Sequence, residues 1–545
     1  MIHIEELKIN LSQNETLLLA LIASVLRIPA DRITSYRIVK KAIDSRKKSD
    51  ICFVYSVDAE VVDEKRVLKG LLKSKDARGV KQHRVRMVED VFQNSETVRD
   101  ASRHCERSEA IQRNNIVVVG AGPCGLFAAL ALSRAGFSPL IVERGKKVEE
   151  RIADVERFFK TGILNPESNV QFGEGGAGTF SDGKLYTLIN DKRSHFIYQT
   201  LVECGAPSEI VYDAKPHIGT DILRKVVVSL REKIIALGGI FRFETKLTGI
   251  HVKNNTLQSV VLNDSEEMPV SALILAIGHS ARDSFQMLFD SKLNMIQKPF
   301  SVGVRIEHPA SLINRSQYGN FAGHPLLPPA KYKLVAHLNN GRSVYTFCMC
   351  PGGYVVAAAS EEASLTVNGM SENRQDGANS NSAVLVGVHP SDFGSAHPLA
   401  GIDFQRHIEQ KTFALGGSNY HAPVQTVGDF LKDRLSVSLP SEITPTYQPG
   451  ITPANLKDCF PDFVVESLKL GIVEMDRKLR GFASPTALLT ASETRSSSPL
   501  RILRDEHGVA SVKNIYPVGE GAGYAGGIMS SAVDGLRAAE RVIWK

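Results

Sequence analysis

The stretch NIVVVGAGPCGLFAALALSRAGFSPLIVERG, residues 115–145, leaves few folds open to this chain. Ile116–Val119 is an unbroken apolar run, the pattern of a strand buried on both faces of a parallel sheet. Gly120, Gly122 and Gly125 follow as G-x-G-x-x-G. The first glycine permits a tight turn, the second lets a pyrophosphate approach the main chain, and the third lets a helix pack on the strand. A helix from Cys124 to Ala135 then turns its N-terminus, with about half a positive charge and free N–H groups, toward the phosphates. Gly136 ends it, and SPLIVE reads as the next strand. Glu143 closes that strand where a carboxylate can take the ribose hydroxyls. Strand, turn, helix, strand and acid together predict an adenine-dinucleotide site at Gly120, Ala121, Gly122, Pro123, Cys124, Gly125, Glu143, Arg144 and Gly145. Cys124 itself reads as a small residue at a tight helix start.

NAD and FAD share the ADP half, so this motif does not separate them. FAD also needs places for ribitol and flavin, and three distant segments supply them. FETKLTGIHV (243–252) reads as a strand that passes the adenine, with backbone groups at Leu247. SALILAIGHSARD (271–283) is an apolar strand that ends at Gly278. YPVGEGAGYAGGIMSSAVDG (516–535) carries glycines at 519, 521, 523, 526 and 527 directly before a helix-like run. There Gly519, Gly526, Gly527 and Ile528 border the ring, and Glu520 is placed for a ribitol hydroxyl. The helix behind Gly527 can aim its dipole at the flavin edge that becomes negative on reduction. A fourth stretch, VQFGEGGAGTFSDGKLYT (170–187), suits a loop against a flat ring through Gly175, Gly176, Thr179 and Asp182, with Lys184 near flavin or substrate. It is also readable as a tight connecting loop. FAD is the expected cofactor, with NAD(P)H as a transient electron donor.

These strings resemble the FAD-binding domain of the glutathione-reductase-like flavoprotein superfamily. More closely, the chain resembles the bacterial FAD-dependent dehydrogenases, or NAD(P)/FAD-dependent oxidoreductases. GAGPCGLFAAL, ERG, VQFGEGGAGTFSDGKL, LAIGHSARD, CMCPGGYVV, NYHAPVQTVGDFL, ETRSSSP and YPVGEGAGYAGGI carry that likeness. It covers most of the chain from Asn115 onward, and an N-terminal module is expected in the same family. The departures are an insertion around 97–114 and Cys124 where alanine is commoner. The resemblance implies a flavoenzyme without implying a substrate.

A chain of 545 residues accommodates two to four domains. The expected fold class is α/β: a Rossmann-like FAD-binding domain from 115–285 plus 507–545, interrupted by an inserted, β-rich α+β substrate or cap domain at 286–506. Residues 1–94 alternate as β-α-β-β-α-β, the order of a ferredoxin-like module, with Ser12 and Glu15 at capping-box spacing and HRVRMVEDV as the last strand. Residues 95–114 read as a linker or insertion. SRHCERSEAIQ within it resembles the peptide encoded by small palindromic repeats in bacterial genomes, which would make His104 and Cys105 accidental. SENRQDGANSNS (371–382) reads as a polar loop.

A formal charge of +6 demands no polyanionic partner. The basic run Lys65, Arg66, Lys69, Lys73, Lys75, Arg78, Lys81, Arg84 and Arg86 reads as a solvated face, because no aromatic residues interleave it to stack bases. It keeps nucleic acid open as a partner through the N-terminal module. The longest apolar stretch, LLLALIASVL, is about half a membrane span. The acidic start is not a secretory leader, and the seven cysteines show no disulfide or zinc spacing. A cytoplasmic protein without a metal is expected; oligomeric state is left open.

No cysteine lies between Cys124 and Cys204, so the helix disulfide of flavin disulfide reductases is missing. Cys348 and Cys350 sit at i, i+2 and would face one side of a strand. They are thiols near the flavin or small buried residues of a hairpin. No second G-x-G-x-x-G marks a separate nicotinamide domain. Candidates for acid, base or anion clamp are His279, Arg282, Arg305, His308, Glu493 and Arg495; each is also readable as a structural side chain. The expected reaction is hydride transfer between a small-molecule substrate, or NAD(P)H, and the flavin. An FAD-dependent RNA-modifying enzyme and a non-catalytic FAD-binding redox sensor are the alternatives.

Overall fold

The computed structural model describes residues 1–72, 80–82, 115–187 and 189–544. At its centre is a five-stranded, all-parallel sheet in the order Ile515–Pro517, Ala272–Leu275, Ile116–Val119, Leu140–Val142, Ile240–Arg242. Side chains alternate across a strand, so Ile116 and Val118 point to one face and Val117 and Val119 to the other. The first face packs under the helices Pro123–Arg134, Thr220–Ala236 and Ile528–Ile543. The second packs under the three-stranded meander of Leu247–Lys253, Thr256–Leu262 and Glu266–Pro269, together with helix Arg282–Asp290. With both faces covered, the strands can be apolar throughout.

Residues between these segments build a seven-stranded sheet, ordered Val335–His337, Ser343–Cys350, Asn379–Val388, Phe300–Pro309, Leu488–Glu493, Ala422–Thr426, Ile451–Pro453. One face of Phe300–Pro309, with Val302, Val304 and Ile306, joins a core under helix Asp462–Lys478. The alternate residues include Arg305 and Glu307, both buried. A two-stranded pair, Met295–Gln297 with Leu500–Ile502, ties together the chain's entry to this region and its exit. Asn340-Gly341 forms a hairpin turn: Gly341 has φ +79° and joins Val335–His337 to Ser343–Cys350.

Residues 1–72 and 80–82 form a four-stranded antiparallel sheet, order Ile33–Asp44, Cys52–Val61, Ile2–Asn10, Val80–Gln82, with helices Leu18–Leu26 and Glu64–Leu72. ITSYRIVKKAID, which mixes helical and alternating spacing, is the strand Ile33–Asp44. The helix entry differs from the capping box at Ser12: Asn14 accepts from the Thr16 amide at 3.0 Å, and Glu15 is held by Lys41 and Tyr55 instead of reaching back. Lys41 also exchanges backbone hydrogen bonds with Tyr212 and Ala214 at 2.8 and 2.9 Å, docking this sheet on the central region. HRVRMVEDV, the 95–114 segment and the basic residues Lys73, Lys75, Arg78, Arg84 and Arg86 lie outside the described residues. Among the described residues no helix is long and apolar enough to cross a membrane.

The reading of 371–382 as a polar loop needs correction. Asn379–Val388 is a strand, and Ser371, Gln375, Asn379, Ser380, Asn381 and Ser382 are all buried. Their polarity serves buried partners: Ser371 and Gln375 donate to Asp182, and Asn381 accepts from Arg305.

Candidate functional site

One cavity of about 800 Å³ runs from the carboxyl ends of the parallel strands to the seven-stranded sheet. That is within the range of about 300–1,000 Å³ found for small-molecule sites. Its first end is lined by Gly120, Gly122, Pro123, Cys124, Glu143, Arg144 and Leu247. Its middle is lined by Gly176, Gly278, His279, Gly519, Glu520, Gly526, Gly527 and Ile528. Its far end is lined by Asp182, Lys184, Lys215, Lys331, Lys333, Cys348, Asn368, Glu493 and Arg495. Ala121, Gly125, Gly145, Gly175, Thr179 and Cys350 are not in that lining.

The glycines divide by what a side chain would meet. On Gly125 a Cβ would lie 1.8 Å from the Gly120 carbonyl oxygen, and on Gly535 it would lie 2.1 Å from that of Cys124. These glycines let helices Pro123–Arg134 and Ile528–Ile543 press against the turn and each other. Gly521 is likewise fixed by packing, 2.3 Å from the Gly278 oxygen, while Gly519 and Gly523 have φ of +75° and +85°. Gly526 and Gly527 are different: a Cβ there meets nothing within 4 Å. No protein contact demands glycine at these two positions; only the cavity lies in front of them. We expect Gly527→Val to fold with a wild-type melting temperature yet lose the ligand of this cavity, and Gly521→Val to destabilise the fold itself. Thermal melts with and without added cofactor separate the two effects. Equal melting-temperature losses in both would contradict the distinction.

Glu143 is 5% exposed and reaches back into the turn. Its Oε2 accepts from the Ala121 amide and its Oε1 from the Gly145 and Gly173 amides, each at 2.9 Å. The same carboxylate borders the cavity, with one lone pair of Oε2 not used by these amides. Arg144 is held by Glu167 at 2.6 Å and Asp283 at 2.8 Å, over the Phe172 ring. Thr179 turns inward, its hydroxyl on the Glu174 carbonyl, and closes the Gly175 turn. Cys124 is buried against Gly519, and burial raises its thiol. Glu520 borders the cavity midway. Burial raises its carboxyl, and His279 and Lys298 only partly oppose that.

The acid, base and clamp candidates separate clearly. His279 Nε2 lies 2.7 Å from the Arg495 carbonyl, which fixes the ring at the cavity wall. The Arg495 guanidinium is committed: it donates to Glu409 at 2.8 and 3.0 Å and to Ser360 at 2.5 Å. Arg282 grips the other side of the same Glu409 at 2.8 and 2.9 Å. Arg305 is fully buried and pairs with Glu493 at 2.9 Å. Burial lifts the Glu493 carboxyl to about 7, against the pull of Arg305.

His308 lies away from the cavity, fully buried, with Nε2 on the Phe482 carbonyl at 2.8 Å. Burial lowers its pKa to about 4. The unfolded chain therefore takes up a proton near pH 6.5 that the folded chain refuses until about pH 4. Stability should be unaffected by this group above pH 6.5 and fall below it, by at most about 1.4 kcal/mol per pH unit. Urea denaturation of wild type and His308→Gln at pH 7.5 and 4.5 checks the sign: the variant should lose less on acidification.

Sequence reasoning missed how Asp182 and Lys184 are held. Asp182 is fully buried. It accepts from Ser371 and Gln375 and lies 3.4 Å from Lys184 Nζ. Burial would raise its carboxyl, but Lys184, His217 and Ser371 together bring it below the usual value. The partners lie almost two hundred residues ahead in SENRQDGANSNS, whose composition was the available signal.

Comparison with known proteins follows this geometry. The profile of the FAD binding domain matches residues 113–168, and that of the FAD-dependent protein, C-terminal domain-like, matches 299–496. A domain of unknown function matches residues 1–60. An uncharacterised protein of Clostridium beijerinckii is 46% identical over 550 residues, covering 100% of this chain and 99% of its own. A glycerol-3-phosphate dehydrogenase from Bacillus halodurans complexed with FAD is 11% identical. It covers 80% of this chain and 66% of its own, with a TM-score of 0.33. A geranylgeranyl bacteriochlorophyll reductase-like protein from Thermoplasma acidophilum is 11% identical, covers 79% and 78%, and has a TM-score of 0.35.

Proposed function

Because this chain belongs to the same family as the Clostridium beijerinckii protein, with matches to FAD-binding and FAD-dependent profiles, and FAD is its cofactor, we propose that it is an oxidoreductase that passes a hydride between a small anionic molecule, or NAD(P)H, and the flavin. One observation carries the reading. A single cavity joins the glycine turn and Glu143, the open glycines 526 and 527, and a far end lined by four lysines against Asp182 and Glu493.

In this reading Gly120, Gly122 and the N-terminus of helix Pro123–Arg134 face the pyrophosphate. Glu143 takes the ribose, Glu520 the ribitol, and Gly526, Gly527 and Ile528 border the ring, with Gly176 and Gly278 beside them. Bound FAD supplies two-electron chemistry; the protein supplies position and charge. Helix Ile528–Ile543 begins beside the ring and favours negative charge there. Lys184 is half-buried, and although desolvation works against it, Asp182, Cys348 and Cys350 keep its ammonium charged above its usual range. With Lys215, Lys331 and Lys333 it would orient a carboxylate or phosphate. Glu493, lifted to about 7, can hold or release a proton at the cavity wall near neutral pH.

The domain reading also follows: a flavin domain from 115–285 and 507–545, an inserted cap at 286–506, and a ferredoxin-like module before them. The strand order at the N-terminus and the pairing of Ile515–Pro517 with Ala272–Leu275 support it.

The test is anaerobic bleaching of the bound flavin. NADH, NADPH and a panel of small carboxylates, phosphates and neutral alcohols are mixed with the purified protein. An anionic member or a nicotinamide should bleach the flavin within seconds. A yellow protein bleached only by neutral compounds would refute the anionic substrate, and a colourless one unable to take up FAD would refute the whole reading.

A further inference from the structure

Strand Ser343–Cys350 loses its register against Asn379–Val388 between Phe347 and Cys350. Within that break Cys348 has φ +45°, a left-handed value that strains a non-glycine residue. Cys348 lines the cavity and is partly exposed, whereas Cys350 lies fully buried behind it. Lys184 Nζ is 3.9 Å from both sulfurs. Arg305 Nη2 donates to the Cys348 carbonyl at 2.7 Å and approaches the Cys350 sulfur at 3.7 Å. Two small residues packed on a hairpin need neither a strained backbone nor two cations beside them, one of them fully buried.

We propose that Cys348 and Cys350 are a redox couple, a cavity-facing thiolate with a resolving thiol behind it, that exchanges one electron pair with the flavin. The inference rests on the FAD reading above. In the oxidative direction the Cys348 thiolate and the Cys350 thiol lose two electrons and one proton and join as a disulfide. Oxidised flavin takes up both electrons and that proton. The reverse step breaks the S–S bond, releases Cys348 as a thiolate and protonates Cys350. The electrostatics agree. The neighbouring Cys350, whose thiol sits on the Cys348 carbonyl at 3.2 Å, then Lys184 and Arg305, pull Cys348 below the usual thiol range despite its burial. By contrast, burial raises the thiols of Cys52, Cys124, Cys204 and Cys459.

The test uses the full-length holoprotein under anaerobic conditions. Fully oxidised protein is denatured in iodoacetamide, and the peptide carrying both cysteines is weighed. It should be unalkylated and two hydrogens lighter, and become doubly alkylated after reduction. Dithionite titration should consume two electron pairs per chain in wild type and one in Cys350→Ser or Cys348→Ser. Doubly alkylated cysteines in the oxidised protein, with one pair consumed by wild type, would overturn the proposal. Apoprotein treated with glutathione disulfide should form the same bond, so the couple is tested even where flavin binding fails. The wild-type alkylation pattern decides if neither variant folds.

Discussion

Replacing Glu143 with alanine is expected to strip the flavin from the protein and lower its melting temperature together. The carboxylate accepts from three amides, those of Ala121, Gly145 and Gly173, at a position 5% exposed. A buried donor left without a partner costs about 1–3 kcal/mol. Three of them at one turn amount to about 3 kcal/mol at the least, against a total stability of about 5–15 kcal/mol. In the function proposed above, the turn they shape meets the pyrophosphate and the same carboxylate takes the ribose. Glu143→Gln keeps the shape but sets an amide N–H against a backbone N–H, so it should fall between. Absorbance through gel filtration gives the flavin content, and thermal melts the stability. An alanine variant that stays yellow and melts like wild type would show that neither turn nor ribose needs this carboxylate.

Glu409→Ala should be the most destabilising single change in the region between the two sheets. Glu409 is fully buried on helix Ala400–Leu415 and holds Arg282 with one pair of hydrogen bonds and Arg495 with another. Thr494 adds a fifth at 2.6 Å. Arg282 begins the helix that covers the parallel sheet, and Arg495 follows a strand of the seven-stranded sheet. Removing the carboxylate leaves two guanidinium groups buried with reduced compensation, a change that costs about 3–5 kcal/mol for a single broken buried pair. The two arginines hold this carboxyl far below the usual range, although burial pushes the other way. The stability it contributes is therefore present above the ordinary glutamate pKa and is lost only as pH falls through the much lower folded value. Urea denaturation at pH 7 measures the loss. Glu266→Ala, which breaks the exposed pair with Arg242, should leave the midpoint in place. A Glu409→Ala midpoint equally unmoved would show that the arginines find other partners.

The parallel sheet was legible because its signals are local. An apolar run, a glycine turn and an acid specify Ile116–Glu143 within thirty residues, and the same grammar repeats at 272–278 and 515–528. Gly526 and Gly527, where a side chain would meet no protein atom, were not separable in the sequence from Gly519, Gly521 and Gly523, which packing or a positive φ fixes. Composition records glycine without recording whether protein or ligand fills the space. Arg495 looked like an anion clamp because arginine among serines does bind anions; that Glu409 already occupies it is a tertiary fact carried by a helix eighty residues earlier. SENRQDGANSNS misled for a related reason. Polar residues usually mean solvent, but here they satisfy Asp182 and Arg305 in the interior.

The order in which the chain is synthesised bears on how its flavin is acquired. Strand Ile515–Pro517 pairs with Ala272–Leu275, and Glu520, Gly526 and Gly527 follow it, so the middle wall of the cavity is made after residues 286–506 have emerged. Domains generally fold in the order they leave the ribosome. The seven-stranded sheet can therefore form while the central sheet still has an open edge at Ala272–Leu275. An unpaired apolar edge is a site for wrong pairing. The last strand closes that edge in the same movement that completes the cavity. Completion of the cavity wall is thus tied to the pairing of two strands about 240 residues apart in the chain, and a ligand that fills the cavity would stabilise that closure by mass action.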